Sequence, residues 1–194
     1  MRKLKLQVQI SIDGFIAGPN GEMDWMTWNW DDALKNYVNT LTDSVDTILL
    51  GRKMAGGFIA HWSNVCTRSD DPGYEFAKLM IGYPKFVFTK TLNESDTEVR
   101  GWANTSLIKT DYIEAIKALK NQEGKDIIVY GGATFDSSLI KAGLIDEYHL
   151  FINPAAIGKG MPIFQSLEAK QNLKLAASTP FDCGIVVSQY HQGL

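Results

Sequence analysis

Asp126-Ile127-Ile128-Val129-Tyr130-Gly131-Gly132-Ala133-Thr134 is the stretch on which the fold turns. Its unbroken apolar run, closed by two glycines, fits a strand buried on both faces, as parallel strands covered by helices are. The residues after it, to about Lys141, read as a helix. Thr47 to Leu50 repeats the pattern: a short buried strand runs into Gly51-Arg52, and Lys53 to Ile59 can form a short helix weakened by Gly56-Gly57. Strands that pass through glycine into helices imply helical crossovers between parallel strands.

Working outward, Lys5 to Ile12 alternates Leu6, Val8, Ile10 and Ile12 with Gln7, Gln9 and Ser11, a strand with one face buried that ends at Asp13-Gly14. Phe15 to Trp30, punctuated by Gly18-Pro19 and Asn20-Gly21, reads as a loop. Asp31 or Asp32 can cap a helix carrying Leu34, Tyr37, Val38 and Leu41 on one face. His61 to about Gly73 reads as irregular, Glu75 to Met80 as a short helix, Lys85 to Thr89 as a strand and Leu107-Ile108 as another. Asp111 and Glu114 form a capping box ahead of Ile113, Ile116 and Leu119. Asp146 to Ile152 is a further strand, and Leu173 to Ser178 with Ile185 to His191 form a hairpin around Pro180 to Gly184. The expectation is one α/β domain over residues 1–194: helices on both faces of a mostly parallel mixed sheet of about eight strands, with an antiparallel C-terminal hairpin.

With 45% hydrophobic and 21% charged residues the chain belongs among globular proteins, and 194 residues suffice for a sizeable core. A net charge of −3 and the lack of any Lys/Arg run interleaved with aromatics argue against a nucleic-acid partner. No stretch approaches the roughly 20 apolar residues of a membrane span. Gln7, Gln9 and Asp13 interrupt any signal-peptide core, so a cytosolic location is expected. Cys66 and Cys183 form no CxxC pair and read as free thiols, while His61, His149 and His191 lack ligand spacing, so no metal is expected.

The two glycine junctions carry the chemistry. Backbone N–H groups at a helix N-terminus, unshielded by a Cβ, make a phosphate cradle, and two cradles could hold a dinucleotide. The same glycines also serve where a helix merely packs closely. Neither junction matches GxGxxG or a Walker loop. Arg52 and Thr89-Lys90-Thr91 add the cationic and hydroxyl donors that an extra ribose phosphate needs, which favours NADPH, although Lys90 equally fits a solvated surface lysine.

Ser11-Ile12-Asp13-Gly14-Phe15-Ile16-Ala17, Thr47-Ile48-Leu49-Leu50-Gly51-Arg52, Ile128-Val129-Tyr130-Gly131-Gly132, Gly143-Leu144-Ile145-Asp146-Glu147, Asn153-Pro154 and Gly158-Lys159-Gly160 occur in this order. The ordered set resembles the reductase domain of riboflavin biosynthesis and its stand-alone relatives, within the dihydrofolate-reductase-like superfamily, over about the whole chain. The resemblance implies an NADPH-dependent reductase of the 5-amino-6-(5-phosphoribosylamino)uracil reductase type, with a pyrimidine- or pterin-related substrate and a homodimeric assembly. It places Gly51, Arg52 and Lys53 against the cofactor, Thr89 and Lys90 at its adenosine end, Gly131, Gly132, Ala133 and Thr134 on the pyrophosphate, and Ile16-Ala17 beside the nicotinamide.

A folate reductase has an acid early in its first helix, which makes Asp31 and Asp32 the catalytic candidates, with simple N-capping as the competing role. Asp24, Trp25 and Trp28 are substrate-binding candidates. The dense tryptophans Trp25, Trp28 and Trp30 could stack a ring or close a lid, or could pack the loop onto the sheet. In bifunctional riboflavin enzymes a zinc deaminase precedes the reductase, and this sequence shows no His/Cys zinc signature. Dihydrofolate reductase proper and a catalytically silent nucleotide-binding module are the alternatives.

Overall fold

The structure, a computed structural model, describes residues 1–97 and 99–193. Their elements are β1 (Leu4–Ile10), β2 (Phe15–Ala17), α1 (Asp32–Asp43), β3 (Val45–Gly51), α2 (Arg52–Val65), α3 (Tyr74–Gly82), β4 (Lys85–Phe88), β5 (Thr105–Ile108), α4 (Tyr112–Lys120), β6 (Asp126–Gly131), α5 (Ala133–Lys141), β7 (Glu147–Ile152), β8 (Met161–Pro162), β9 (Leu173–Pro180) and β10 (Val186–Gln192). The main sheet has eight strands in the order β5-β4-β3-β6-β1-β7-β10-β9, and β2 and β8 form a separate antiparallel pair. The strands from β5 across to β7 are parallel, whereas β10 and β9 add antiparallel pairings. This is the expected mixed sheet with helices on both faces. Five helices are present among the described residues, one at each of the five segments read as helical.

One face packs Leu4, Leu6, Val8 and Ile10 of β1 with Ile127 and Val129 of β6 beneath α4 and α5. On the other face, α2 and α3 cover β3, β4 and β6, and α1 covers β7 and β10 through Leu34 and Val38 against Phe151, Ile185 and Val187. α2 is longer than expected and takes in His61, which the sequence placed in an irregular stretch. Each glycine costs about 1 kcal/mol in a helix. Burial of Ala55, Ile59 and Val65, with Phe58 and Trp62 packed alongside, outweighs Gly56-Gly57.

The capping box at α4 is half formed. Asp111 accepts hydrogen bonds from the Ile113 and Glu114 N–H groups, while the Glu114 carboxylate turns outward to Lys117.

Lys85, only 1% exposed, begins β4 and donates to the carbonyls of Met80, Ile81 and Tyr83 at the end of α3. Burial pulls its ammonium down to about 8. It therefore remains protonated at neutral pH, with one N–H for each carbonyl.

Glu147, at the start of β7, faces His149 Nε2 at 3.6 Å, Lys3 Nζ at 2.6 Å and Lys5 Nζ at 3.8 Å. The imidazole and the two ammonium groups hold its carboxyl at about 2 against the opposing effect of burial. Because this lies below the ordinary value of 4.5, the stabilisation is complete above pH 4.5 and is lost as pH falls from there to about 2. Denaturant midpoints of the wild type should drop across that window, and those of Glu147→Gln should be lower at neutral pH yet fall less steeply in acid.

Candidate functional site

β3 and β6 are adjacent and parallel, so α2 and α5 begin side by side at the carboxyl edge of the sheet. Their N-caps, Gly51 and Gly132, make no side-chain capping bond. A Cβ on Gly51 would lie 2.8 Å from Phe135 Cβ and 3.2 Å from the Gly132 nitrogen, so the two turns touch at a distance only glycine permits. Gly131 has a φ of +124° and joins Gly132 through a cis peptide. The ring of Phe88, ending β4, stacks on Phe135 in the first turn of α5 at 4.9 Å between centroids, which ties a third strand to the junction.

The first turn of α2 holds no acid but carries the exposed cations Arg52 and Lys53. Cations at the positive end of a helix are unfavourable by about 0.3–1 kcal/mol each. A bound anion would reverse that sign. The Thr89 hydroxyl oxygen accepts from the Thr91 and Leu92 N–H groups, which leaves its proton free to donate, and Lys90 beside it is exposed. The structure therefore brings Gly51, Arg52, Lys53, Gly131, Gly132, Ala133 and Thr134 together, with Thr89 and Lys90 at the end of the next strand.

Ser11-Ile12-Asp13-Gly14 is a clasp. The Ser11 hydroxyl donates to Asp13 at 2.6 Å and accepts from the Phe15 N–H, while Asp13 accepts from the N–H groups of Ile157 and Gly158. The Ser11 bond and then those backbone donors hold the Asp13 carboxyl below the ordinary carboxylate range. Gly160 lies so close to the Ala17 carbonyl that a Cβ would come within 2.2 Å of it. Ile16 is buried in the core under α4 and α5, so a ligand can meet it only through its backbone.

Asp31 is the N-cap of α1. One oxygen accepts from the Leu34 N–H at 2.8 Å and the other from the Cys183 N–H at 3.0 Å, and these donors lower its pKa. Asp32, with its side chain 93% exposed, pairs with Lys35. Neither carboxylate is a buried acid of the kind a pterin relay needs, which favours the capping role over catalysis. Asp24 is exposed, and the Trp25 indole donates to the Glu22 carbonyl.

Sequence reasoning missed Asn153 as an anchor. Fully buried, it donates to Gln9 Oε1 at 3.1 Å and to the Phe151 carbonyl, and accepts from the Thr27 N–H at 2.8 Å. Trp30 donates to the Thr27 carbonyl and stacks on Phe151, and Trp28, 62% exposed, stacks on Trp30. Trp30 thus packs the loop onto the sheet, the packing role expected for these rings, while Trp28 keeps an exposed outer face. Asn153→Ala should cost about 1–3 kcal/mol by orphaning these groups. A red-shifted tryptophan emission at low denaturant would report release of the loop.

The other missed feature is the second face of β1. A central parallel strand should be apolar on both sides, yet β1 carries the half-buried Gln7 and Gln9 opposite its core face. α1 places Tyr37 OH 2.7 Å from His149 Nδ1 on β7, and α2 places Phe58 on Tyr130 of β6 at 5.4 Å. The amide stripe of β1 runs between these two strands, and Gln7 Oε1 is buried without a hydrogen-bond partner. The alternation was legible in the sequence; its meaning required the strand order.

Among the described residues, no helix is long and apolar enough to cross a membrane. Comparison with known proteins agrees with this architecture. YyaP of Bacillus subtilis strain 168, an uncharacterized protein, is 34% identical over 192 residues, covering 98% of this chain and 95% of that one. The solved diaminohydroxyphosphoribosylaminopyrimidine deaminase/5-amino-6-(5-phosphoribosylamino)uracil reductase of Thermotoga maritima superimposes with a TM-score of 0.68 at 16% identity, covering 99% of this chain and 57% of that one. Dihydrofolate reductase of Enterococcus faecalis, solved with NADP(H), superimposes with a TM-score of 0.58 at 16% identity, covering 99% and 97%. At these identities the two structures establish the dihydrofolate-reductase-like fold. The RibD C-terminal domain profile matches residues 2–187, and the chain belongs to that family.

Proposed function

We propose that the protein is an NADPH-dependent reductase of the riboflavin-biosynthesis type, acting as a single domain on a pyrimidine- or pterin-related ring. The observation that carries this reading is the pair of uncapped helix N-termini locked together at Gly51 and Gly132, with exposed cations in the first turn of α2. Such a cradle fits the pyrophosphate of a dinucleotide: glycine lets the anion approach the backbone, and the N–H groups supply the bonds. Gly131, Gly132, Ala133 and Thr134 would hold the pyrophosphate. Arg52, Lys53, Thr89 and Lys90 would hold the adenosine end with its extra phosphate, and the backbone of Ile16-Ala17 would border the nicotinamide. When bound, NADPH supplies the hydride.

The stripe of Gln7 and Gln9 and the open face of Trp28 supply amide and stacking contacts for a planar ring, with Asp24 and Trp25 at the loop. Asp31 is committed to its cap, so the protein's part is to orient the ring and exclude water. A cytosolic homodimer without nucleic-acid partners completes the proposal. β9, an edge strand whose residues after Leu173 are exposed, is the surface we assign to dimerisation.

Fluorescence titration tests the cofactor: NADPH should bind in the micromolar range and more tightly than NADH. Ribosylaminopyrimidines and pterins, offered with NADPH, should drive its oxidation. Binding without turnover on any of them would favour a silent nucleotide-binding module, and absence of binding would remove the cradle reading. Light scattering should give twice the chain mass of 21.6 kDa.

A further inference from the structure

Asp136 lies in the first turn of α5, 0% exposed, and both of its carboxyl oxygens are buried without a hydrogen-bond partner. An acid in a first turn ordinarily accepts from the free N–H groups there. This one turns instead toward the glycine pair. A Cβ on Gly131 would sit 3.1 Å from Asp136 Oδ2 and 3.1 Å from Met54 Sδ. What faces the carboxyl is therefore the bare backbone of β6 and the Met54 thioether of α2. The charged residues beside Met54 on α2, Arg52 and Lys53, are exposed and form no ion pair with it, and burial alone shifts its affinity for the proton, upward. An ionised carboxylate with no donor in such a place is too costly to persist, so the group is a neutral acid whose proton has no acceptor among the described residues.

We propose that Asp136 is the proton-carrying member of the cradle, donating its O–H to the anionic group seated over Gly131 and Gly132, so that cofactor binding is tied to one held proton. The proposal rests on the cofactor reading above. A neutral carboxyl adds a donor to the two helix ends, whereas an ionised one would repel the phosphate it adjoins. Among the described residues no group takes the proton, and an arriving anion supplies the acceptor.

The test is the NADPH dissociation constant, measured by fluorescence from pH 7 to 10, where the cofactor phosphates are fully ionised. Wild-type affinity should fall about tenfold per pH unit once the carboxyl titrates, the slope of one linked proton. Asp136→Asn keeps a donor without a titration and should bind within about threefold of the wild type at pH 7, with a flat profile. Asp136→Ala should be flat and about tenfold weaker, the worth of one hydrogen bond to a charged group. As a second readout on the unmodified protein, the ¹³C carboxyl resonance of Asp136 should report a protonated acid at pH 7 and should move when NADPH is added. Coincident pH profiles for wild type and Asp136→Asn, or a carboxyl that titrates in the ordinary range, would overturn the proposal while leaving the cofactor reading intact. A protein that binds no NADPH at any pH overturns both.

Discussion

Gly51→Ala is expected to weaken NADPH binding by about 100-fold. The new methyl would have to occupy a point 2.8 Å from Phe135 Cβ and 3.2 Å from the Gly132 nitrogen, and neither neighbour is the free end of a flexible chain. Phe135 is held by its stack on Phe88, and the Gly132 nitrogen belongs to the cradle itself. Overpacking of this kind costs about 1–3 kcal/mol in stability. The larger effect falls on binding, because relief of the clash drives the two helix ends apart. One or two charge-assisted bonds, worth about 1.5–3 kcal/mol each, would be lost, and about 2.7 kcal/mol corresponds to 100-fold. Gly57→Ala is the control: nothing lies within 4 Å of its Cβ position. That variant should gain up to about 1 kcal/mol of helix stability with an unchanged dissociation constant. Equal affinities for Gly51→Ala and wild type would show that the close approach of the two turns does not shape the site.

Lys85→Met carries the largest expected loss of stability, about 2–4 kcal/mol. The apolar portion of the side chain is kept, but the carbonyls of Met80, Ile81 and Tyr83 lose their shared donor in a buried place. Removing an unpaired buried ammonium recovers part of this, since burial already disfavours its charge. The Ile81 carbonyl keeps its bond from Asn104 Nδ2, and the two orphaned acceptors, those of Met80 and Tyr83, outweigh that gain. For a chain of this length the loss corresponds to roughly 4–15 °C in melting temperature. Lys85 begins β4, at the sheet edge opposite the cradle, so NADPH affinity at temperatures where the variant is folded should match wild type. A melting temperature within about 2 °C of wild type would contradict the argument.

Much of the frame was legible from residue type alone. Ile127 to Val129 and Ile48 to Leu50 are apolar without interruption because both sheet faces are covered there, and the glycines that follow mark where each chain turns into a helix. Local rules failed where distant packing decided. Gly56-Gly57 weakens the helix by propensity and the local reading stops it at Ile59, whereas Phe58 and Trp62 carry it to Val65 on contacts with other elements. The site divides in the same way. Gly51, Arg52 and Gly131 to Thr134 could be found because strand-glycine-helix is a local pattern. Gln7 and Gln9 look like the solvent face of an edge strand until the order of strands puts β1 in the middle. Asp136 was invisible, since an aspartate in a helix is ordinarily a surface residue and only the packing of Gly131 and Met54 buries it.

The position of β1 also bears on how the chain comes to be folded. Leu4 pairs with Ile127 and Lys5 with Glu147, so the strand at the middle of the sheet meets both neighbours only after most of the polypeptide has been made. At about 5–20 residues per second, ribosomal synthesis leaves that interval at roughly 6–30 seconds. Throughout it, Leu4, Leu6, Val8 and Ile10 have no native surface to cover them. Closing such long loops slows folding of nascent and refolding chains alike. For this protein the vulnerable period is birth, and the residues most exposed to misassembly are those that end up deepest in the sheet.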